Sequence, residues 1–274
     1  MADLIYVIYF KNLPLLAQGK RDQTALLSII FYVKYSFFAT MKLAKRKAWL
    51  KVKVLISPSI FAADLLHLDK EIERTVDSGA DMIHFDVMDG VYVPNISLGF
   101  DFLSAIRKST DLPIDVHMMT VRPEAYIERL AKAGADIVTI HNAIAEEDKI
   151  KTMLMEIRSY GMMAAVALKP AVPAEAILPY IDMVDMILVM TVEPGFSGQS
   201  FMDMSDKIKK VKEYIGEAPI SIQVDGGINA ETIKICAEAG ANVFVCGSAA
   251  YRATDMKKTI GDIKNAAQES IVAK

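Results

Sequence analysis

From Val54 onward the chain repeats one pattern eight times, and few folds accept it. Short apolar runs rich in β-branched residues and Met stand at "VLIS" (54–57), "MIHFDV" (82–87), "IDVH" (114–117), "IVTIH" (137–141), "MAAVAL" (163–168), "MILVM" (186–190), "ISIQV" (220–224) and "VFVCG" (243–247). Stretches with apolar residues three and four apart separate them, such as "LDKEIERTVDSGA", "PEAYIERLAKAGA" and "AETIKICAEAGA". These three end on Gly79, Gly134 and Gly240, a residue suited to closing a helix in the left-handed conformation. The runs begin at residues 54, 82, 114, 137, 163, 186, 220 and 243, 23 to 34 residues apart. Eight strands alternating with helices at that spacing predict an α/β fold of the (β/α)₈ TIM-barrel class. A doubly wound open sheet would carry a glycine-rich fingerprint after its first strand, and "ISPSIFAAD" has none.

The repeat leaves the start of the chain unexplained. "LIYVIYF" and "ALLSIIFYVKYSFFATM" are apolar, but Lys34 interrupts the longer one before it reaches the length of a spanning helix, and a basic run, "KLAKRKAWLKVK", follows. A surface anchor and a signal-like segment are the functional alternatives, the latter without an A-x-A cleavage site. Residues 1–50 are read as an extension outside the fold, and 51–274 as a single barrel domain. The formal charge of −3 shows no basic excess, so nucleic acid is not favoured as a partner, and a membrane partner is not expected either. Two cysteines in 274 residues, Cys236 and Cys246, indicate no disulfide framework and fit a reducing cytoplasm.

A barrel directs attention to the C-terminal ends of its strands, where the loops form one mouth. Three of the four histidines fall there: His84, His117 and His141. His67 lies in the first helical stretch and is read as a surface residue without a role. Residues two apart on a strand share a face, so His84, Asp86 and Met88 point one way and Ile83, Phe85 and Val87 the other. With His117 on the next strand and Asp225 after "ISIQV", two imidazoles and two carboxylates converge towards the axis. Such a set fits a divalent metal, and it also fits a buried hydrogen-bonded network.

Glycine-containing turns follow the sixth, seventh and eighth strands: "EPGFSGQ", "DGGIN" and "CGSA". Each alone serves any turn. Three on neighbouring loops, with their backbone N–H groups, form an anion site of the kind barrels use for phosphate.

Together and in order, "ISPSIFAADL", "HFDVMDGVYVPNIS", "DVHMM", "VMTVEPGFSGQSF", "VDGGIN" and "CGSA" closely resemble the ribulose-phosphate 3-epimerase family over about residues 54–265. The resemblance implies a barrel of the ribulose-phosphate-binding type and a place in the pentose phosphate pathway; a homo-oligomer is expected because barrels of this size commonly assemble, in the cytoplasm that the cysteine usage fits. It implies one divalent metal ion (Zn, Fe, Mn or Co), held by His84, Asp86, His117 and Asp225, with Asp86 and Asp225 as the acid/base pair. Ser59, His117, Met88, Met119 and Met190 match substrate-contacting residues. Gly195, Phe196, Ser197 and Gly198, with Gly226, Gly227, Gly247 and Ser248, match the phosphate grip. Ser197 replaces a usual Gly, and Lys169 stands where many relatives carry Asn.

The implied activity is epimerisation at C3 of a ketose phosphate, D-ribulose 5-phosphate to D-xylulose 5-phosphate, by two-base proton transfer through an enediolate. Allulose 6-phosphate 3-epimerase is the sister reading, and a non-catalytic sugar-phosphate-binding barrel is the alternative of another class. Decarboxylases and aldolase-like synthases of related barrels place a lysine among carboxylates, and no D-x-K-x-x-D pattern occurs at these strand ends.

Overall fold

The computed structural model describes residues 54–272, so the segment read as an extension, 1–50, lies outside the described residues. Eight strands follow in chain order: β1 (Leu55–Pro58), β2 (Ile83–Met88), β3 (Ile114–Met119), β4 (Ile137–His141), β5 (Met163–Leu168), β6 (Met186–Met190), β7 (Ser221–Asp225) and β8 (Val243–Cys246). Each lies within one residue of the start expected from its apolar run. They form one sheet in the order β1-β8-β7-β6-β5-β4-β3-β2, and every ladder is parallel.

The seam between β1 and β2 is closed by other means. Ser59 bridges His84, the Asp81 N–H donates to the Ile56 carbonyl at 3.0 Å, and the Asp81 carboxylate accepts the Ile56 N–H at 2.8 Å. Lys264 reaches both Asp81 oxygens at 2.7 Å from the last helix, tying the chain's end to the seam. The result is a nearly closed (β/α)₈ barrel.

The outer layer comprises α1 (Leu68–Asp77), α2 (Phe100–Ser109), α3 (Ile127–Ala133), α4 (Glu147–Ser159), α5 (Ser205–Ile215), α6 (Thr232–Ala239), the short α7 (Ser248–Tyr251) and α8 (Met256–Val272). Gly79, Gly134 and Gly240 take positive φ at the ends of α1, α3 and α6, as the sequence pattern expects. Between β5 and β6 the connection is a 3₁₀ helix, Ala174–Met183, rather than an α-helix. Pro179 inside it has no N–H to donate and its ring opposes an α-helical turn. His67 closes a 3₁₀ turn just before α1, largely exposed, with its ring 2.8 Å from Asp64.

Alternation along the strands divides the interior. Ile83, Phe85 and Val87 face the helices and join the large core between the layers. Inside the barrel, Leu55, Met82, Ile137, Met163, Ala165, Met186 and Val243 form an apolar floor. Further along the strands the interior turns polar: Ser57, His84, Asp115, Thr139 and Gln223 are all fully buried. An apolar floor under a polar storey stabilises the barrel while reserving its upper interior for charged groups, whose burial is tolerated only when they are paired or bound. Among the described residues no helix is long and apolar enough to cross a membrane.

Candidate active site

The polar storey ends in the four residues that strand alternation brings together. Asp86 and His117 are register partners on β2 and β3, and His84 lies one alternation below Asp86. Asp225 ends β7, beside Met190 of β6. One ligand atom from each of His84, Asp86, His117 and Asp225 lies within 4.8 Å of the others. His84 Nε2 stands 3.3 Å from Asp86 Oδ1 and 3.8 Å from Asp225 Oδ2; His117 Nδ1 stands 3.2 and 3.8 Å from the same two atoms.

The residues behind this cluster decide how its rings present themselves. His84 Nδ1 is 2.8 Å from Asp115 Oδ2, and a carboxylate there accepts a proton from that nitrogen. His84 Nε2 then faces the two aspartates and makes no hydrogen bond; burial disfavours charge on the ring, but Asp86 and Asp115 outweigh it and raise His84 well above the usual histidine range, so a metal ion bound there would displace the Nε2 proton. An unbonded imidazole nitrogen aimed at two carboxylates, with its other nitrogen held by a third, is the arrangement of a metal-ligating histidine. The residues present therefore fit a divalent ion. Gln223 donates to Asp115 as well, completing its support. His117 Nε2 packs 2.9 Å from His141 Nε2, one nitrogen donating to the other. Burial, the neighbouring His117 and the charge of Lys169 keep His141 well below the usual histidine range, hence neutral.

Asp115 and Gln223 were not singled out from the sequence. For Asp115 the signal was present: it stands two residues before His117, on the same strand face, as His84 stands before Asp86. Gln223 sits two residues before Asp225 by the same rule.

The electrostatics separate the two aspartates. Burial opposes ionisation of Asp86, but the nearby charge of His84 and a hydrogen bond from His117 outweigh it and hold the carboxyl far below its ordinary range. At Asp225 burial dominates, with His84 and His117 opposing it and the charge of Asp86 adding to it, and the carboxyl is pushed up to about 6. The two groups titrate as a pair, one ionised while the other holds a proton across the intervening pH range. Cys236 and Cys246 are buried, free and raised to about 12, so neither offers a thiolate at neutral pH.

Above the cluster opens a cavity of about 430 Å³. Ser59, Asp86, Met88, Met119, Met190 and Asp225 line one end, and Gly195, Phe196, Ser197, Gly198, Gly226, Gly227, Gly247 and Ser248 the other. Ser59 donates to Asp86 Oδ2 at 2.7 Å. Met88 and Met119 belong to one apolar cluster with Val93, while Met190 packs with Ala167, Leu188 and Val192 in another. His84 and His117 are fully buried and stand behind the carboxylates instead of on the cavity wall.

The glycine turns are held from outside. Gly227 has φ +65°, and a Cβ there would meet the Phe201 backbone nitrogen at 2.8 Å. Thr191 and Thr232 hydroxyls donate to the Gly226 and Gly227 carbonyls, and the Gln199 amide donates to the Glu193 and Phe196 carbonyls. Ser197 Oγ lies 3.6 Å from where a Gly247 Cβ would stand, which brings it beside the β8 turn.

The loop after β2 spans the mouth. Asp89 accepts the N–H groups of Val91, Tyr92 and Val121, and Asn95 Nδ2 donates to the Gly195 carbonyl at 2.8 Å. Lys169, the second departure from the family pattern, places its ammonium 3.9 Å from the centre of the Tyr92 ring. Asp89, Tyr92 and Asn95 carry no periodic signal, because a loop has no face to alternate.

A model described as the ribulose-phosphate 3 epimerase family matches residues 55–251. The ribulose-phosphate 3-epimerase of Bacillus subtilis (strain 168) is 43% identical over 215 residues, covering 77% of this chain and 98% of that protein. That of Rhodobacter capsulatus is 40% identical over 224 residues, covering 80% and 97%. Among solved structures, 3-hexulose-6-phosphate synthase from Salmonella typhimurium matches with a TM-score of 0.63 over 79% of this chain and 100% of that one, at 20% identity, a likeness of fold alone. Motifs, barrel and the extent of these matches agree: the chain belongs to the ribulose-phosphate 3-epimerase family and is an enzyme of the epimerase class.

Proposed function

We propose that the chain inverts C3 of D-ribulose 5-phosphate to give D-xylulose 5-phosphate, with Asp86 and Asp225 as its two proton-transfer groups. The observation that carries this is one cavity with two different ends: paired carboxylates among imidazoles at one, three glycine turns at the other. A phosphorylated ketose fits that polarity, with its phosphate in the turns and its carbonyl region at the carboxylates.

His84, Asp86, His117 and Asp225 would hold one divalent metal ion. When bound, such an ion supplies Lewis acidity to the oxygens on which charge develops as the proton leaves. The protein's own groups do the rest. One carboxylate takes the C3 proton and leaves a planar enediolate; the other delivers a proton to the opposite face, and the C3–H bond re-forms inverted. Asp86, the more acidic of the pair, suits the first task, and Asp225, the less acidic, suits the second in this direction. Ser59 orients Asp86 through its 2.7 Å bond. The three methionines wall the reacting centre with side chains that carry no exchangeable proton. The phosphate meets backbone N–H groups of the turns and the hydroxyls of Ser197 and Ser248.

The family match begins at residue 55, which supports reading 1–50 as an extension to the family's barrel. The reading includes a cytoplasmic homo-oligomer.

The test is turnover of ribulose 5-phosphate and allulose 6-phosphate in parallel, before and after chelation and after metal is restored. Metal-dependent epimerisation of the pentulose is expected. Preference for the hexulose would replace the substrate, and turnover of neither by metal-loaded protein would replace the reading with a binding-only barrel.

A further inference from the structure

The phosphate end of the cavity is built from backbone and hydroxyl groups, all of them neutral. A sugar phosphate carries close to two negative charges at neutral pH. Among the residues lining the cavity the charged ones are Asp86, Asp225 and one cation, Arg252. Arg252 follows α7 directly, four residues after Ser248, and one residue beyond the stretch the family model matches.

Two observations single it out. Among the described residues, no ion pair or side-chain hydrogen bond engages its guanidinium, and the residue is exposed, so its charge is available at the cavity rim. Its backbone, by contrast, is held: the Arg252 N–H donates to the Ser248 carbonyl at 3.1 Å. Arg74 of α1, paired with Glu71, donates from one nitrogen to the Tyr251 and Ala253 carbonyls at 2.9 and 3.1 Å. Arg252 is thus a free guanidinium on a fixed backbone, at a cavity whose other end carries two carboxylates.

We propose that Arg252 is a phosphate-binding residue that recognises the dianion by charge and so sets which way round the ketose enters. A guanidinium is always charged and presents paired N–H donors that match phosphate oxygens. The carboxylates at the far end repel phosphate, so the two charges together orient the substrate before the neutral donors close on it. This assignment rests on the proposed sugar-phosphate substrate only for its kinetic consequence, since the charge applies to any phosphate.

The experiment uses the full chain, its Arg252→Ala variant and its Arg252→Lys variant. Inorganic phosphate is titrated by 31P nuclear magnetic resonance into protein stripped of metal and dialysed free of chelator. Weakening of roughly ten-fold is expected in the alanine variant, the scale of one hydrogen-bonded charge, with partial recovery in the lysine variant. With metal restored, KM for ribulose 5-phosphate rises by a similar factor while kcat moves far less. Equal phosphate affinity in all three proteins, or no binding by the unaltered one, overturns the assignment. Weakened phosphate binding with no epimerisation by any of the three leaves Arg252 in place and overturns the proposed activity instead.

Discussion

The two ends of the cavity are made of different material. At the carboxylate end, function resides in side chains carried by strands: His84 and Asp86 on β2, His117 on β3 and Asp225 on β7. At the phosphate end it resides mainly in backbone carried by turns, with Gly195, Gly198, Gly226 and Gly227 all at positive φ. Strands in a closed sheet cannot shift register without moving every side chain to the wrong face, so the first end is positioned by the whole barrel. Turns are positioned locally, by Thr191, Thr232, Gln199 and Asn95. The carboxylate end should accordingly fail through chemistry and the phosphate end through affinity.

The sharpest way to break that contrast is at the aspartates. Asp86→Asn and Asp225→Asn should each lower kcat on the order of 10³-fold or more, since each removes a proton-transfer group and a charge from the cluster. Far-ultraviolet circular dichroism should show an intact barrel. Near-normal turnover in either variant would end the proton-transfer assignment.

Asp115→Asn probes the same end from one layer deeper. It touches no cavity wall, yet it holds Nδ1 of His84. Loss of such a support lowers metal affinity about 10–100-fold. Competition against a metal indicator would measure this, and excess metal should restore much of the activity. Unchanged affinity would make Asp115 a packing residue only.

Gly227→Ala tests the backbone end. Its Cβ would collide with the Phe201 backbone in a conformation that alanine adopts poorly. A penalty of more than about 1 kcal/mol, hence more than about fivefold in KM, is expected, with metal content unchanged. A larger loss in kcat than in KM would show that the two ends are coupled more tightly than their construction implies.

The same difference explains what could be read in advance. The barrel was legible because eight buried strands need eight apolar runs, and a helix between them needs its own period. The four clustered residues were legible because polar types at period two inside a buried strand have few other uses. Asp115 obeyed that rule too and was passed over, since a single carboxylate before "VH" reads as part of the strand's start. Asn95 and Arg252 were not legible at all. Nothing in "VYVPNIS" says that an amide will reach the β6 turn, and nothing in "CGSAAYR" says that a guanidinium will line the cavity of the glycine turns.

By itself, then, the sequence determined the layered barrel, the faces of its strands and the residue types of the site, because local periodicity and burial act along the chain. The tertiary structure alone decided the 3.3 and 3.2 Å approaches of His84 and His117 to Asp86, and the support of His84 by Asp115. It also decided the split between Asp86 and Asp225, with the latter at about 6. The physical reason is distance: electrostatic and hydrogen-bonding interactions in the metal-ligand cluster depend on separations of a few ångströms between residues as far apart in the chain as His84 and Asp225, 141 positions, and those separations exist only once the barrel has closed.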